Sequence, residues 1–483
     1  MNFQLLSFLF LFTLSALAQT PAFQQFEVDS AAEPRCGTAF FNTFIQTNLR
    51  KPVSLEAKGI GGTVIVNGVV EPNGTLSNVA VSRGFRPDCD REALRVFSLF
   101  NAWKPAQKAG KAVRQQITIP IVFKPNVAFT YLNGKRIVFF TKDGKATNAD
   151  STLAQFKQVS QVDSTGLPTG DVVVYEAKNK KWKEYYRLVF TTEKYTNPFC
   201  NSCQTIGNQN IRKQWQGDVF VLDGTGKRIR QTYYDEGSPT NTDVMYYPNS
   251  LIAQKKADTG DRVNFLKWYA NGQIEQIKTL DKPKSFTTGT LEQIVAVWDS
   301  TGKQTVIDGN GYATYQEQVV SNNDTTKHTI FVEKGTYAAG VKQGIWKGYY
   351  TDGSFFYEEM YEKGIFQGGK SKSNQGDTLR YTQLEQVPEF QGGMAELGKF
   401  LSTNLSYPVD AQRAGVQGRV FVSFVVCTDG TLCDYEILKG VQPDVDQEAL
   451  RVVKSMNGKW KPGFQRGKAV RVKYNLPINF SLH

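Results

Sequence analysis

Histidine is almost missing from this chain. Its 483 residues hold two, His328 and His483, so a His-based metal site or catalytic triad has almost no material. Proline is scarce as well: 18 prolines beside 42 glycines exclude collagen-like and Pro-rich fibrous chains. Six cysteines are too few for a disulfide scaffold of this length, although they fit an oxidising compartment. No apolar run reaches the ~20 residues that a spanning helix needs. What is present is ordinary globular material. Hydrophobic residues make up 40% and aromatics 12%, enough to bury real cores and to exclude wholesale disorder. At roughly 150 residues per domain, about three domains are expected.

Leu5 to Leu17 is an uncharged run of Leu, Phe, Ser, Thr and Ala that leads into Ala16-Leu17-Ala18, a small-x-small cleavage pattern. Residues 1–18 therefore read as a signal peptide, cleaved after Ala18, and the mature chain as periplasmic or exported. An uncleaved N-terminus anchored in the inner membrane is the alternative. The net charge of +12 suits anionic partners only weakly. For an exported chain nucleic-acid binding is not expected.

The cysteines leave several readings open. Cys200-Asn-Ser-Cys203 is a C-x-x-C unit in what reads as a loop, without the second pair or the histidines that zinc requires. A disulfide between Cys200 and Cys203 is the leading candidate, and a redox dithiol stands behind it. Cys427 and Cys433 flank Thr428-Asp429-Gly430-Thr431 at diagonal positions on one face of a hairpin, where a bridge can form. Cys36 and Cys89 are a further candidate pair.

The two ends of the chain are copies of each other. Residues 44–96 align with 400–452 at a constant offset of 356. The matches include Phe44 with Phe400, Asn48 with Asn404, Pro52 with Pro408, Gly62 with Gly418 and Gly84 with Gly440. Glu92-Ala93-Leu94-Arg95-Val96 recurs as Glu448-Ala449-Leu450-Arg451-Val452. After one inserted residue, Trp103-Lys104-Pro105 matches Trp460-Lys461-Pro462, and Gly110-Lys111-Ala112-Val113-Arg114 matches Gly467-Lys468-Ala469-Val470-Arg471.

The C-terminal copy gives the cleaner pattern. Met394, Leu397, Phe400, Leu401 and Leu405 recur at helical spacing, and Tyr407-Pro408 ends that helix. From Gly418, Val420, Val422, Phe424 and Val426 share one face of a strand. Asp429-Gly430 is a hairpin turn, and Asp434 to Leu438 returns. A helix is expected from Asp444, with Gln447 completing a capping box. Val470 to Phe480 then alternates strictly, as a strand buried on one face does. Pro477 within it cannot donate to a ladder, which argues an edge strand. A long open edge is a template for a visiting strand.

Tyr407-Pro-x-x-Ala411-x-Arg413-x-Gly415-Val-Gln-Gly418, the Asp429-Gly430 hairpin, Asp446-x-Glu448-Ala449-Leu450 and Trp460-Lys-Pro462-Gly463 together resemble the TonB C-terminal domain. Residues 387–483 carry the full pattern. Residues 36–125 carry a degenerate copy, with Lys51-Pro52 in place of Tyr-Pro. In that family the domain takes up a short extended segment of outer-membrane transporters, the TonB box, by strand addition. The resemblance implies a partner surface at Val470, Val472, Tyr474, Leu476, Ile478 and Phe480, with Asn404, Ser406, Tyr407 and Pro408 beside it. Arg413, Gly415, Gly418, Trp460 and Pro462 read as structural. The family's energy transducers also carry a membrane helix and a long Pro-rich spacer, and no such spacer is found here. The domain alone therefore does not establish energy transduction.

Between the copies, residues 126–386 alternate aromatic strands with Asn-Gly and Asp-Gly turns. The unit Gly344-Ile-Trp346-Lys-Gly348-Tyr349-Tyr350-Thr-Asp352-Gly353 resembles MORN-like repeats, which stack hairpins through glycine and aromatic positions. The expected class is α+β: two small domains of helix, β-hairpin, helix and long edge strand, flanking a mainly antiparallel β repeat region. Two functions compete. One is an exported TonB-like binder of transporters or other envelope proteins, touching the membrane only through them. The other is an envelope scaffold whose middle binds protein or anionic polymer, its ends serving for docking or homodimerisation. No nucleophile elbow, phosphate loop or metal-ligand cluster is present, so neither catalysis nor a cofactor is expected.

Overall fold

The computed structural model describes residues 21–148, 151–179, 181–197, 200–281, 292–373 and 376–482. The expected signal peptide lies outside them. The chain is mostly β, with a few helices and large antiparallel sheets, consistent with the α+β class. No described helix is long and apolar enough to cross a membrane. Two units form, Met1–Thr305 and Val306–His483.

In the first unit, α1 (Thr38–Asn48) and α2 (Val53–Lys58) precede a hairpin of β1 (Gly62–Val70) and β2 (Leu76–Arg83). Then come α3 (Pro87–Ser98) and β3 (Gln115–Phe123). The sheet order is β2-β1-β3, all antiparallel. Alternation places Val64 and Val66 of β1 and Ile121 and Phe123 of β3 on the face that Ala93, Val96 and Phe97 of α3 cover. This small core does not end at the domain's own residues. Phe40 of α1 meets Trp298 edge-on with ring centres 4.8 Å apart, and the Asn48 side chain accepts the Ile252 N–H at 2.8 Å. Helix α1 is thus consumed in packing on the antiparallel strands that follow, which pair in sequence from Phe156 to Trp298.

Several turns of those strands share one device. Asp163, Asp223 and Asp299 each accept the N–H groups two and four residues on, closing an Asp-x-Thr-Gly turn. The Cys200–Gln209 segment is a strand, not the expected loop, because its ladder with Lys181–Asn197 continues to Asn197 opposite Cys200. Cys203 is buried and disulfide-bonded; the Cys200 side chain lies outside the described residues. Cys36 and Cys89 do not form the candidate bridge. Both are thiols, and burial pushes each up to about 11.

The second unit opens with six strands paired in sequence: β4 (Asn310–Val320), β5 (His328–Ala338), β6 (Val341–Tyr350), β7 (Phe355–Glu362), β8 (Ile365–Ser373) and β9 (Leu379–Tyr381). Glycines make room for rings across the ladder. Gly348 stands opposite Tyr357 and Gly369 opposite Tyr381. A Cβ on Gly348 would sit 2.1 Å from the Tyr357 ring. Gly348→Ala is therefore expected to destabilise this unit by roughly 1–3 kcal/mol through overpacking, read as a lowered urea midpoint at unchanged slope.

The C-terminal copy follows, with α4 (Gly393–Asn404), α5 (Val409–Arg413), β10 (Gly418–Val426), β11 (Leu432–Lys439) and α6 (Pro443–Lys454). A small hairpin of β12 (Gly463–Gln465) and β13 (Lys468–Val470) leads into β14 (Val472–Phe480). The sheet order is β11-β10-β14. Three expectations are corrected. The short helices α2 and α5 are extra: Pro52 and Pro408 end one helix and cap the next, since a fixed φ near −60° suits a helix start. Helix α6 begins at Pro443 without a Gln447 capping box; Asp446 instead accepts the Val441 N–H at 2.8 Å. The strand expected from Val470 to Phe480 breaks at Arg471, because Lys468–Val470 is spent on pairing with Gly463–Gln465.

Candidate functional site: a free sheet edge on the C-terminal copy

β14 pairs along its whole length with β10, from Gly418 opposite Phe480 to Val426 opposite Val472. Among the described residues no strand pairs with its other side. The interior position of β10 explains why β14 sits outermost: β10 buries Val420, Val422, Phe424 and Val426 and takes the sheet centre, while Pro477 suits only an edge. The β10–β14 register is unbroken although Pro477 has no N–H to give Phe421. An unbroken ladder accommodates that only if the Pro477 nitrogen points to the open side. By the two-residue period, the main-chain groups of Lys473, Asn475 and Asn479 face the same open side.

The side chains of β14 divide cleanly. Leu476, Ile478 and Phe480 are buried in the core, Tyr474 and Val472 are half-buried, and Lys473, Asn475, Pro477 and Asn479 are exposed. Of the residues assigned to partner contact, the three buried ones offer a guest neither group: their side chains are in the core and, by the same two-residue period, their main-chain groups face β10. Val470 lies on β13, off this edge. Asn404 and Ser406 are exposed but tied inward: the Ser406 N–H donates to Glu448 at 2.6 Å, and Arg451 donates to the Asn404 carbonyl at 2.7 Å. The Arg451 guanidinium holds the Glu448 carboxyl below the usual carboxylate range. The same clamp recurs in the N-terminal copy, where Glu92 accepts the Arg50 N–H and Arg95 donates to the Asn48 carbonyl. That is why the Glu-Ala-Leu-Arg run repeats. The Tyr407 hydroxyl donates to the Val416 carbonyl, its ring lies edge-on to Phe480 at 5.6 Å, and Pro408 caps α5.

Beside the edge lies a hollow of about 560 Å³ lined by Val387, Pro388, Phe390, Met394, Trp460 and Tyr474, among others. Val387 and Met394 are 80% and 68% exposed, so apolar surface stands next to unpaired main chain. Sequence reasoning placed Met394 on a helix face and missed Val387. Their exposure depends on where the segment Glu385–Phe390 runs, which pairs with Gly463–Gln465 and Trp460–Lys461 and not with β14.

A second constellation holds the tip of the β12–β13 hairpin. The Glu359 carboxylate, wholly buried, accepts from Arg466 Nε at 2.6 Å, Tyr361 at 2.9 Å and Tyr381 at 3.0 Å. The Arg466 guanidinium lies 4.0 Å from the centre of the Tyr357 ring, whose hydroxyl donates to Glu333 at 2.6 Å. Burial first, and then the neighbouring carboxylates, push the three phenols up, so they remain donors at ordinary pH. The N-terminal copy has Ala109 where Arg466 stands, on the same left-handed turn. The hairpins also differ at Ala106/Gly463, Gln107/Phe464 and Lys108/Gln465, and the change from Ala109 to Arg466 is the one that brings a charge to the tip.

Residues 50–125 and 403–482 both match the model of the Gram-negative bacterial TonB protein C-terminal family. Each end of the chain thus holds a segment similar to the TonB C-terminal domain, which points to a TonB-like role in envelope transport. None of the curated proteins compared with the chain matches it. Among solved structures, the chain is 27% identical to the solution structure of the Helicobacter pylori TonB C-terminal domain spanning residues 179–285 there, covering 19% of this chain and 80% of that one at a TM-score of 0.16. A shorter form of the same domain, residues 194–285 there, is 27% identical over 18% of this chain and 91% of that one, also at 0.16. At that score the likeness carries no weight of its own.

Proposed function

We propose that this chain is a non-catalytic binding protein of the cell envelope. It takes up an extended segment of an outer-membrane transporter, the TonB box in this family, along the free edge of β14, and so supports transport across the outer membrane. The observation that carries the reading is the unpaired side of β14. Added main-chain hydrogen bonds supply affinity there, and the hollow beside the edge, where exposed Val387 and Met394 stand among polar residues such as Glu385 and Glu389, selects side chains on the guest. The mature protein works in the periplasm after cleavage behind Ala18, and needs no cofactor. A second reading, an envelope scaffold with the terminal domains as docking modules, draws on the N-terminal copy, whose α1 is consumed in packing on the strands beside it.

Amide hydrogen exchange on the full chain separates the two. With a TonB-box peptide from an outer-membrane transporter, slowed exchange is expected in residues 472–480. No change there, or protection confined to residues 126–386, overturns the first reading.

A further inference from the structure

Cys427 and Cys433 stand at the mouth of the β10–β11 hairpin. The turn between them is closed by the Cys427 N–H donating to the Thr431 carbonyl at 2.8 Å and the Gly430 N–H donating to the Cys427 carbonyl at 3.0 Å. The ladder sets Cys433 opposite Val425, so Cys427 lies diagonally across. Both are thiols, both are partly exposed, and their Sγ atoms are 2.7 Å apart. No backbone movement is needed to bring the two sulfurs together. Arg471 Nη2 lies 3.3 Å from Cys433 Sγ and 2.6 Å from Asp434, so a cation faces the sulfur from the break between β13 and β14.

We propose that Cys427 and Cys433 are a modification site: a dithiol that exchanges with small-molecule or protein disulfides to form an intrachain cross-strand bridge. One thiolate attacks a sulfur of the external disulfide, giving a mixed disulfide and releasing one thiolate of the reagent. The second cysteine loses its proton and attacks the protein sulfur of that mixed disulfide. The protein S–S bond forms as the other reagent thiolate leaves. The protein gives up two electrons, the reagent disulfide is reduced to two thiols, and the two protons go to them. The bridge staples the end of the sheet where Val426 pairs with Val472, the first residue of β14. The other described free cysteines do not compete, since burial raises both Cys36 and Cys89. The contact with Cys427 raises the Cys433 thiol and Arg471 acts the other way, so exchange is slow at neutral pH. It quickens about tenfold per pH unit below the thiol's pKa, because the thiolate is the nucleophile.

The test uses the full chain and oxidised glutathione, followed by alkylation and trypsin digestion. Both cysteines fall in one tryptic peptide, Val420–Lys439. The expected product is that peptide two hydrogens lighter and unalkylated, forming faster at pH 8.5 than at pH 7. Cys433→Ser and, separately, Cys427→Ser should each stop at a stable mixed disulfide with one glutathione. Full alkylation of both cysteines after equilibration with excess oxidised glutathione overturns the proposal. So does glutathione retained on both cysteines of the unmutated chain.

Discussion

Asn475→Pro is expected to weaken binding of a TonB-box peptide by about tenfold or more, the loss of roughly 1.4 kcal/mol from one main-chain hydrogen bond and the adjoining contact. The chain should stay folded. Asn475 is exposed, and by the argument from Pro477 its N–H faces away from β10, so proline there removes nothing from the β10–β14 ladder. Leu476, Ile478 and Phe480 keep their places in the core. Titration calorimetry gives the affinity, and a melting curve on the same sample shows whether the fold survives. A variant that melts normally and binds as tightly as the unmutated chain would remove β14 as the guest's seat. Deleting the whole strand would be less informative, because it strips three buried side chains along with the edge.

Arg466→Ala carries the largest expected cost in stability. Glu359 is fully buried, and Arg466 is the cation on it. Breaking a buried pair from one side costs about 3–5 kcal/mol, because the remaining charge stays out of water. Arg466 is 30% exposed, which places the expected loss near the lower end, about 3 kcal/mol. Urea unfolding followed by tyrosine and tryptophan fluorescence should show it. Adding Glu359→Gln to Arg466→Ala should recover part of the loss, since the double variant leaves no buried charge. If the double variant is no better than the single one, the pair is held by packing around the Tyr357 ring and not by charge.

The duplication, the main helices and hairpin of each copy and the edge position of the last strand are legible in the residues; the short helices α2 and α5 and the β12–β13 hairpin are not. A period of two runs from Val472 to Phe480, and Pro477 cannot sit at a sheet centre. Which side chains a guest could touch was less legible. Alternation alone says that Leu476, Ile478 and Phe480 share a face with Tyr474. It does not say that helices α4 and α6 cover it. The break at Arg471 was hidden because Lys468-Ala-Val470 fits the strand pattern as well as its successors do; only the competing partner Gly463–Gln465 claims those residues. Asn404 and Ser406 were assigned to a partner, yet the Ser406 main chain is held by Glu448, 42 residues on, and that of Asn404 by Arg451, 47 residues on.

Local sequence determined the hairpins closed by Asp-Gly turns, and the amphipathic helices, because each depends on φ preferences and side-chain periods within a few residues. The tertiary structure decided what meets across long separations. It brought Arg466 to Glu359, 107 positions apart, and laid α1 of one copy on the strands that follow it. It set two thiols in contact across a hairpin, and left one side of β14 without a neighbour. Such meetings follow from how whole elements stack, and no run of adjacent residues encodes them.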